Sequence, residues 1–145
     1  MASQTSNHYK TRLLYGDIDF STHAFRMILM IPGFAFSRAN HDGYADVIAS
    51  ELPTAFGYTA GGILLAGVAI IQDDIQNAGI VSWGNAAWLV AGGNLEASAG
   101  IIYDDTIAAP VADLIVGYID FGGSILTYNG GTFTVANITV ANVAP

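Results

Sequence analysis

The chain reads as an all-β protein, an antiparallel β-sandwich or jelly roll with a short N-terminal helix. Three observations predict this. Short apolar runs alternate with glycine-rich and asparagine-rich punctuation at Gly61-Gly62, Asn77-Ala78-Gly79, Gly84-Asn85, Gly92-Gly93-Asn94 and Asn129-Gly130-Gly131. The segment Leu95 to Tyr103 alternates in strict period two, with Leu95, Ala97, Ala99, Ile101 and Tyr103 on one side and Glu96, Ser98 and Gly100 on the other. Helix signals are confined to the first third of the chain. Residues 1–15 are therefore read as an arm and short helix, and residues 16–145 as the sandwich domain.

In order along the chain, residues 1–7 are polar and are expected to stay mobile until a partner pins them. Asn7 is a candidate cap for a short helix that places Tyr9 and Leu13 on one face and ends at Gly16. Ala24 to Ile31 reads as a strand with Phe25, Met27, Leu29 and Ile31 on one face, closed by Pro32-Gly33. Asp42 to Leu52 has a cap, apolar residues at helical spacing and Pro53 as a stop, which predicts a second helix. Ile80 to Trp83, Trp88 to Ala91 and Leu114 to Phe121 are further strands. In the final strand Phe133 and Val135 share one phase while Ile138 and Val140 take the other, so a bulge is expected near Ala136-Asn137.

The stretch Gly57 to Ile71 dominates this pattern: a glycine-rich turn feeds an uncharged run, Ile63 to Ile71, that reads as a single strand. Both of its faces are apolar, whereas an antiparallel sandwich strand normally keeps one wet face. The expectation is that one face fills the core and another copy of the chain covers the other. Ile63, Leu65 and Ile71, with Trp83 and Trp88 as aromatic anchors, are the expected oligomer interface.

Composition supports association and argues against several functions. Hydrophobic residues make up 52% of the 145-residue chain and charged residues only 11%, against roughly 25% charged in ordinary domains. The net charge is −8, and all four basic residues, Lys10, Arg12, Arg26 and Arg38, precede Ala39. This disfavours nucleic acid, which needs several cations on one face, and an anionic membrane surface alike. The uncharged stretch from Leu52 to Gln72 contains Pro53, four glycines and polar residues, so it does not read as a membrane span. Met1 to His8 has no apolar segment suited to a signal peptide, and a soluble protein made in the cytoplasm is expected. With no cysteine, there is neither a disulfide framework nor a cysteine-ligated metal.

No catalytic or cofactor motif emerges. His8, His23 and His41 lack metal-ligand spacing, and Asp73-Asp74 and Asp104-Asp105 lack the alternating oxygens of a calcium loop. Asp104 with Asp120 is an example of the carboxylate pair that a glycoside-cleaving reading would use. No cofactor and no metal are expected, and the chain is not read as an enzyme.

A resemblance rests on four segments: Gly57-Tyr58-Thr59-Ala60-Gly61-Gly62, Ile101-Ile102-Tyr103-Asp104-Asp105-Thr106, Leu114 through Gly123, and Gly131-Thr132-Phe133-Thr134-Val135. These resemble small virion proteins of tailed bacteriophages, in which a short helix precedes a β-sandwich. Some members of that group resemble capsid decoration, or cement, proteins that sit as trimers on the head. The resemblance implies virion assembly and does not by itself choose head over tail; the leading expectation is a homotrimeric decoration protein bound to the major capsid protein at the capsid surface and made in the host cytoplasm. Tyr9, Lys10, Arg12 and Leu13 are then the expected capsid contact. The alternative is a tail or baseplate protein contacting a host surface glycan through Trp83, Trp88, Tyr103 and Tyr128.

Overall fold

A computed structural model describes residues 2–143. Met1 and residues 144–145, the ends of the expected arm and of the expected sandwich domain, lie outside the described residues. Among the described residues the fold is mostly β, with antiparallel sheets and one short α-helix. In chain order its elements are β1 (Ala2–Gln4), α1 (Asn7–Leu14), β2 (Phe25–Met30), β3 (Ile63–Leu64), β4 (Ala69–Asp73), β5 (Ala78–Trp83), β6 (Ala86–Leu89), β7 (Leu95–Asp104), β8 (Leu114–Thr127), β9 (Thr132–Val135) and β10 (Ile138–Val143). They form three sheets, ordered β1-β8-β7-β2-β3, β10-β5-β4 and β6-β9.

The five-stranded sheet is apolar on both faces, and the chain covers both. On one face Met27, Leu29, Ile102, Val116 and Ile119 share a core with Val81, Trp83, Ile138 and Val140 of the three-stranded sheet and with Trp88, Phe133 and Val135 of the two-stranded sheet. The opposite face carries Ile28, Met30, Ala99, Ile101, Tyr103, Ile115 and Tyr118, which are capped by Val47 with Phe34, Phe36 and Tyr44. Phe36 stacks on Tyr118 at 4.8 Å and Tyr44 on Tyr103 at 4.9 Å between ring centroids. Each buried side chain of this size stabilises the fold by about 1.5–3 kcal/mol relative to exposure. For the large sheet, then, the second apolar face is sealed by residues 34–47 of the same chain, and no second copy is required there.

The N-terminal segment is built into this sheet. β1 pairs with β8 in the register Ala2↔Asp120 to Gln4↔Tyr118, and Thr5 and Ser6 are buried. Residues 2–6 are thus an edge strand and its exit, in place of the expected loose arm. Ser6, not Asn7, caps α1, its hydroxyl accepting the Tyr9 N–H at 3.0 Å. At the other end the Gly16 N–H bonds to the Leu13 carbonyl and the Asp17 N–H to the Arg12 carbonyl, each at 3.1 Å. That is a Schellman ending, and Gly16 supplies its left-handed residue at φ 76°.

The predicted helix over 42–52 is absent; two 3-10 turns, Tyr44–Asp46 and Ile48–Ser50, stand in its place. Strands tether the segment at both ends. The Tyr44 N–H bonds to the Asp113 carbonyl, the Ile115 N–H to the Asp42 carbonyl, and the Leu52 N–H to the Leu29 carbonyl. A chain spread between these anchors has no room to wind an α-helix.

The run Ile63 to Ile71 is likewise two strands in two sheets. β3 pairs with β2, and β4 pairs with β5. Between them Leu65 donates its N–H to the Phe25 carbonyl at 2.8 Å, its side chain enters the main core, and Gly67 turns the chain at φ 70°. The unbroken apolarity reflects a passage between layers, which period-two counting does not distinguish from a strand. The phase change at Ala136-Asn137 has the same origin. β9 pairs with β6 and β10 with β5, so Asn137, at φ 55°, marks a change of sheet rather than a bulge.

Gly61 and Gly62 both adopt positive φ, at 94° and 77°. A Cβ at Gly62 would lie 2.0 Å from the Met27 carbonyl oxygen, whereas one at Gly61 would meet open space. Gly62→Ala is therefore expected to lower unfolding stability by about 3 kcal/mol or more, and Gly61→Ala by only about 1 kcal/mol. Urea midpoints of the two variants check this; equal losses would refute the contact at Gly62.

Candidate functional site

Two polar clusters lie inside the molecule, and both hold loops in place. The Glu51 carboxylate accepts hydrogen bonds from the Tyr58 hydroxyl at 2.6 Å, from the Gly61 N–H at 2.7 Å and from the Tyr44 hydroxyl. The Tyr58 hydroxyl also accepts the Leu29 N–H at 3.2 Å, and Tyr103 donates to the Gly61 carbonyl at 2.8 Å. This network ties the 57–62 turn and the 44–51 segment to β2 and β7, with a carboxylate engaged from three sides. Burial, followed by the hydrogen bond to Glu51, raises the hydroxyl pKa of Tyr44 and Tyr58. Burial and then the Asp105 carboxylate push Tyr103 up to about 12.

The second cluster pairs His23 Nδ1 with Asp104 Oδ2 at 2.6 Å. Asp104 is fully buried, and its other oxygen accepts the Thr106 N–H at 3.0 Å. Sequence spacing hid this pair because its members are far apart in the chain and meet only where β2 lies beside β7. His41 accepts the Ser37 N–H at 3.0 Å and stacks on Phe34, an arrangement that shapes a turn. Among the described residues no group of three or more His, Cys, Asp or Glu side chains gathers to hold a metal ion.

The suggested carboxylate pair does not form. Asp104 lies opposite Leu114 and Asp120 opposite Ala99, so the two are offset by the length of β7 between Ala99 and Asp104. At about 3.4 Å per residue that offset far exceeds the roughly 5–9.5 Å that glycoside cleavage uses.

What the fold leaves at the surface is apolar. In β4, Ile70 is 63% exposed and Ile71 56%, and Ile75 at the following turn is 93% exposed. Ile70 lies opposite the buried Val81, on the core-facing side of its sheet, and Ile71 lies opposite Ile80 on the outer side. β4 therefore overhangs the layer beneath it and is bare on both faces. Leu89, Ile125, Leu126 and Tyr128 are also exposed, Ile125 opposite the buried Ala97 and Leu126 opposite Glu96 on the other face of the sheet. A shallow hollow of about 190 Å³ is bounded by Phe121, Ile125, Phe133, Thr134 and Val135.

Several expected contact residues lie elsewhere. Of the expected oligomer interface, Ile71 is exposed and Ile63 half-buried, but Leu65, Trp83 and Trp88 are buried in the subunit's own core, the two tryptophans at 6% exposure. Trp83 packs near Phe25 and Phe20, and Trp88 near Tyr58 and Phe133. Of the expected capsid contact, Tyr9 is buried and Leu13 leans on the main core. Arg12 pairs with Asp17 and covers the Tyr15 ring at 4.6 Å, which leaves Lys10 exposed. Sequence reasoning missed Ile70, Ile75, Leu14 and Tyr15, the last two at the outward end of α1. The signal available for Ile75 was its place in a polar turn, between Asp73-Asp74 and Gln76-Asn77.

No protein-family model matches the chain, and neither a curated protein nor a solved structure shows significant similarity to it. Among the described residues no helix is long and apolar enough to cross a membrane.

A tyrosine whose pKa is higher folded than unfolded adds stability that is complete below its unfolded value near 10 and is lost as pH rises through the folded value. Unfolding free energy is thus expected to fall as pH rises above about 10, where Tyr44, Tyr58 and Tyr103 all hold their protons more tightly folded than unfolded, and the Tyr103 share of that loss is complete near pH 12. Tyr103→Phe makes the decline between about pH 10 and 12 shallower without abolishing it in urea titrations at stepped pH; an unchanged slope would refute the assignment.

Proposed function

We propose that this chain is a non-enzymatic structural protein of a tailed-phage virion, a capsid decoration protein that assembles as a homotrimer and binds the major capsid protein at the head surface. The observation that carries the reading is the β4 strand, uncharged from Ala69 to Gln72 and bare on both faces at the edge of its sheet. Contiguous exposed apolar surface of this kind marks an interface. The turn and strand segments that resemble phage virion proteins supply the setting. In the same reading the layers form a β-sandwich of jelly-roll type, with the chain crossing between sheets at residues 64–69, 83–86 and 135–138.

Such a protein acts by adding buried area at each junction between capsid subunits, about 1,200–2,000 Å² for an ordinary stable interface. The work is mechanical and requires neither cofactor nor catalytic group. Because β1 is paired within its own sheet, the capsid is gripped by folded surface and not by a trailing arm. The glycan-binding alternative relied on Trp83, Trp88, Tyr103 and Tyr128, and of these only Tyr128 is exposed.

Purified protein is expected to co-sediment with capsids lacking it and to raise the temperature at which they rupture. Immunogold labelling is expected to decorate heads. Labelling confined to tails, or capsids with unchanged rupture temperature, would overturn the proposal.

A further inference from the structure

Two exposed apolar patches lie on different elements of the subunit. The first is the end of the β4–β5 hairpin, where Ile70, Ile71 and Ile75 are exposed beside Asp73 and Asp74. The second is the outward face of α1, where Leu14 is 90% and Tyr15 71% exposed beside Lys10. Each is apolar, and their charges have opposite sign. Neither Asp73, Asp74 nor Lys10 enters an ion pair among the described residues. From Ala39 onward the chain contains no Lys or Arg, so the acidic hairpin has no cation in its own sequence neighbourhood.

Topology separates the patches within one subunit. β4 is one edge of the layer β10-β5-β4. β1, which leads into α1, touches β10 at the other edge, and α1 itself packs on β8. Two complementary surfaces on different elements of a subunit meet in a head-to-tail contact between copies. Repeated about an axis, such a contact closes a ring.

We propose that the β4–β5 hairpin of one copy docks on the exposed face of α1 of the next, with Ile71 and Ile75 against Leu14 and Tyr15 and Asp74 facing Lys10. This rests on the homo-oligomeric part of the reading above and assigns its interface, with the second copy as the occupant of both patches. Apolar contact supplies the association, and the charge pair fixes which surfaces meet.

Light scattering coupled to size exclusion tests this on the full chain. Wild type is expected to run as a closed oligomer. Asp74→Lys and Lys10→Glu each weaken assembly about tenfold or more, and the chain carrying both restores it. Ile75→Ser, at a solvent-exposed position, weakens assembly without lowering the subunit's unfolding midpoint at high dilution. As a second readout, a zero-length carbodiimide links Lys10 to Asp74 between differently labelled copies. If the oligomer persists through both charge reversals and Ile75→Ser, this contact is wrong while homo-oligomerisation stands. A wild-type monomer at working concentration removes both.

Discussion

The structure depends on one constraint: the five-stranded sheet has two apolar faces, and neither can be left in water. β2, β7 and β8 send alternate side chains into different clusters, Met27 and Leu29 to one side, Ile28 and Met30 to the other. The two small sheets cover the first side. On the second, no regular element is available, and the connection between β2 and β3 serves as a lid. A lid without a ladder must still satisfy its backbone. It does so by borrowing partners from the sheet's margins, as in the Gly43↔Leu114 and Met30↔Glu51 bridges. Glu51 then becomes the fastener, because its carboxylate reaches Tyr44 in the lid, Tyr58 beneath it and the Gly61 backbone together.

That constraint explains the rigidity of the 57–62 turn. Gly57 and Gly62 each bring backbone against backbone, at the Leu89 and Met27 carbonyls, where a Cβ would stand 2.0 Å away. Tyr58 lies between them, buried, and bonds both Glu51 and β2. The turn is therefore a junction at which the lid, the large sheet and the two-stranded sheet are locked in one register. Loss of any one contact there would loosen three layers at once.

Much of the strand pattern was legible because it follows local rules. The alternation of β7, the Asn129-Gly130-Gly131 turn before β9 and the Gly16 helix ending need no tertiary knowledge. The misreadings share one cause, which is that hydrophobic pattern records burial but not what does the burying. Leu65 looked like one residue of a long strand because a chain crossing between layers is as apolar as a strand within one. Trp83 and Trp88 suited an interface as well as a core, since large aromatic side chains dominate both. Residues 34–41 carry no periodic pattern and 42–47 read as the start of a helix, so their role in sealing the second face of the large sheet was invisible. The His23–Asp104 pair was equally hidden, because it forms only through strand register. Ile71 was placed on an outer face by period-two counting, and it does lie opposite Ile80 on the outer side of its sheet, exposed.

The edges of the sheets show where this economy stops. β3 is two residues long and β1 three, lengths that give a stray strand little to pair with. Natural proteins also guard longer edges with charge, proline or a bulge. β4 has none of these from Ala69 to Gln72. Its two isoleucines are exposed on opposite faces, and its acidic residues stand at the turn, where they mark the end of the strand without protecting its flank. An unguarded, uncharged edge on a chain that is only 11% charged invites indiscriminate association unless one partner occupies it by preference. A copy of the same chain is always present at matching concentration and keeps all its cations in its first forty residues, so it meets that requirement with no other component.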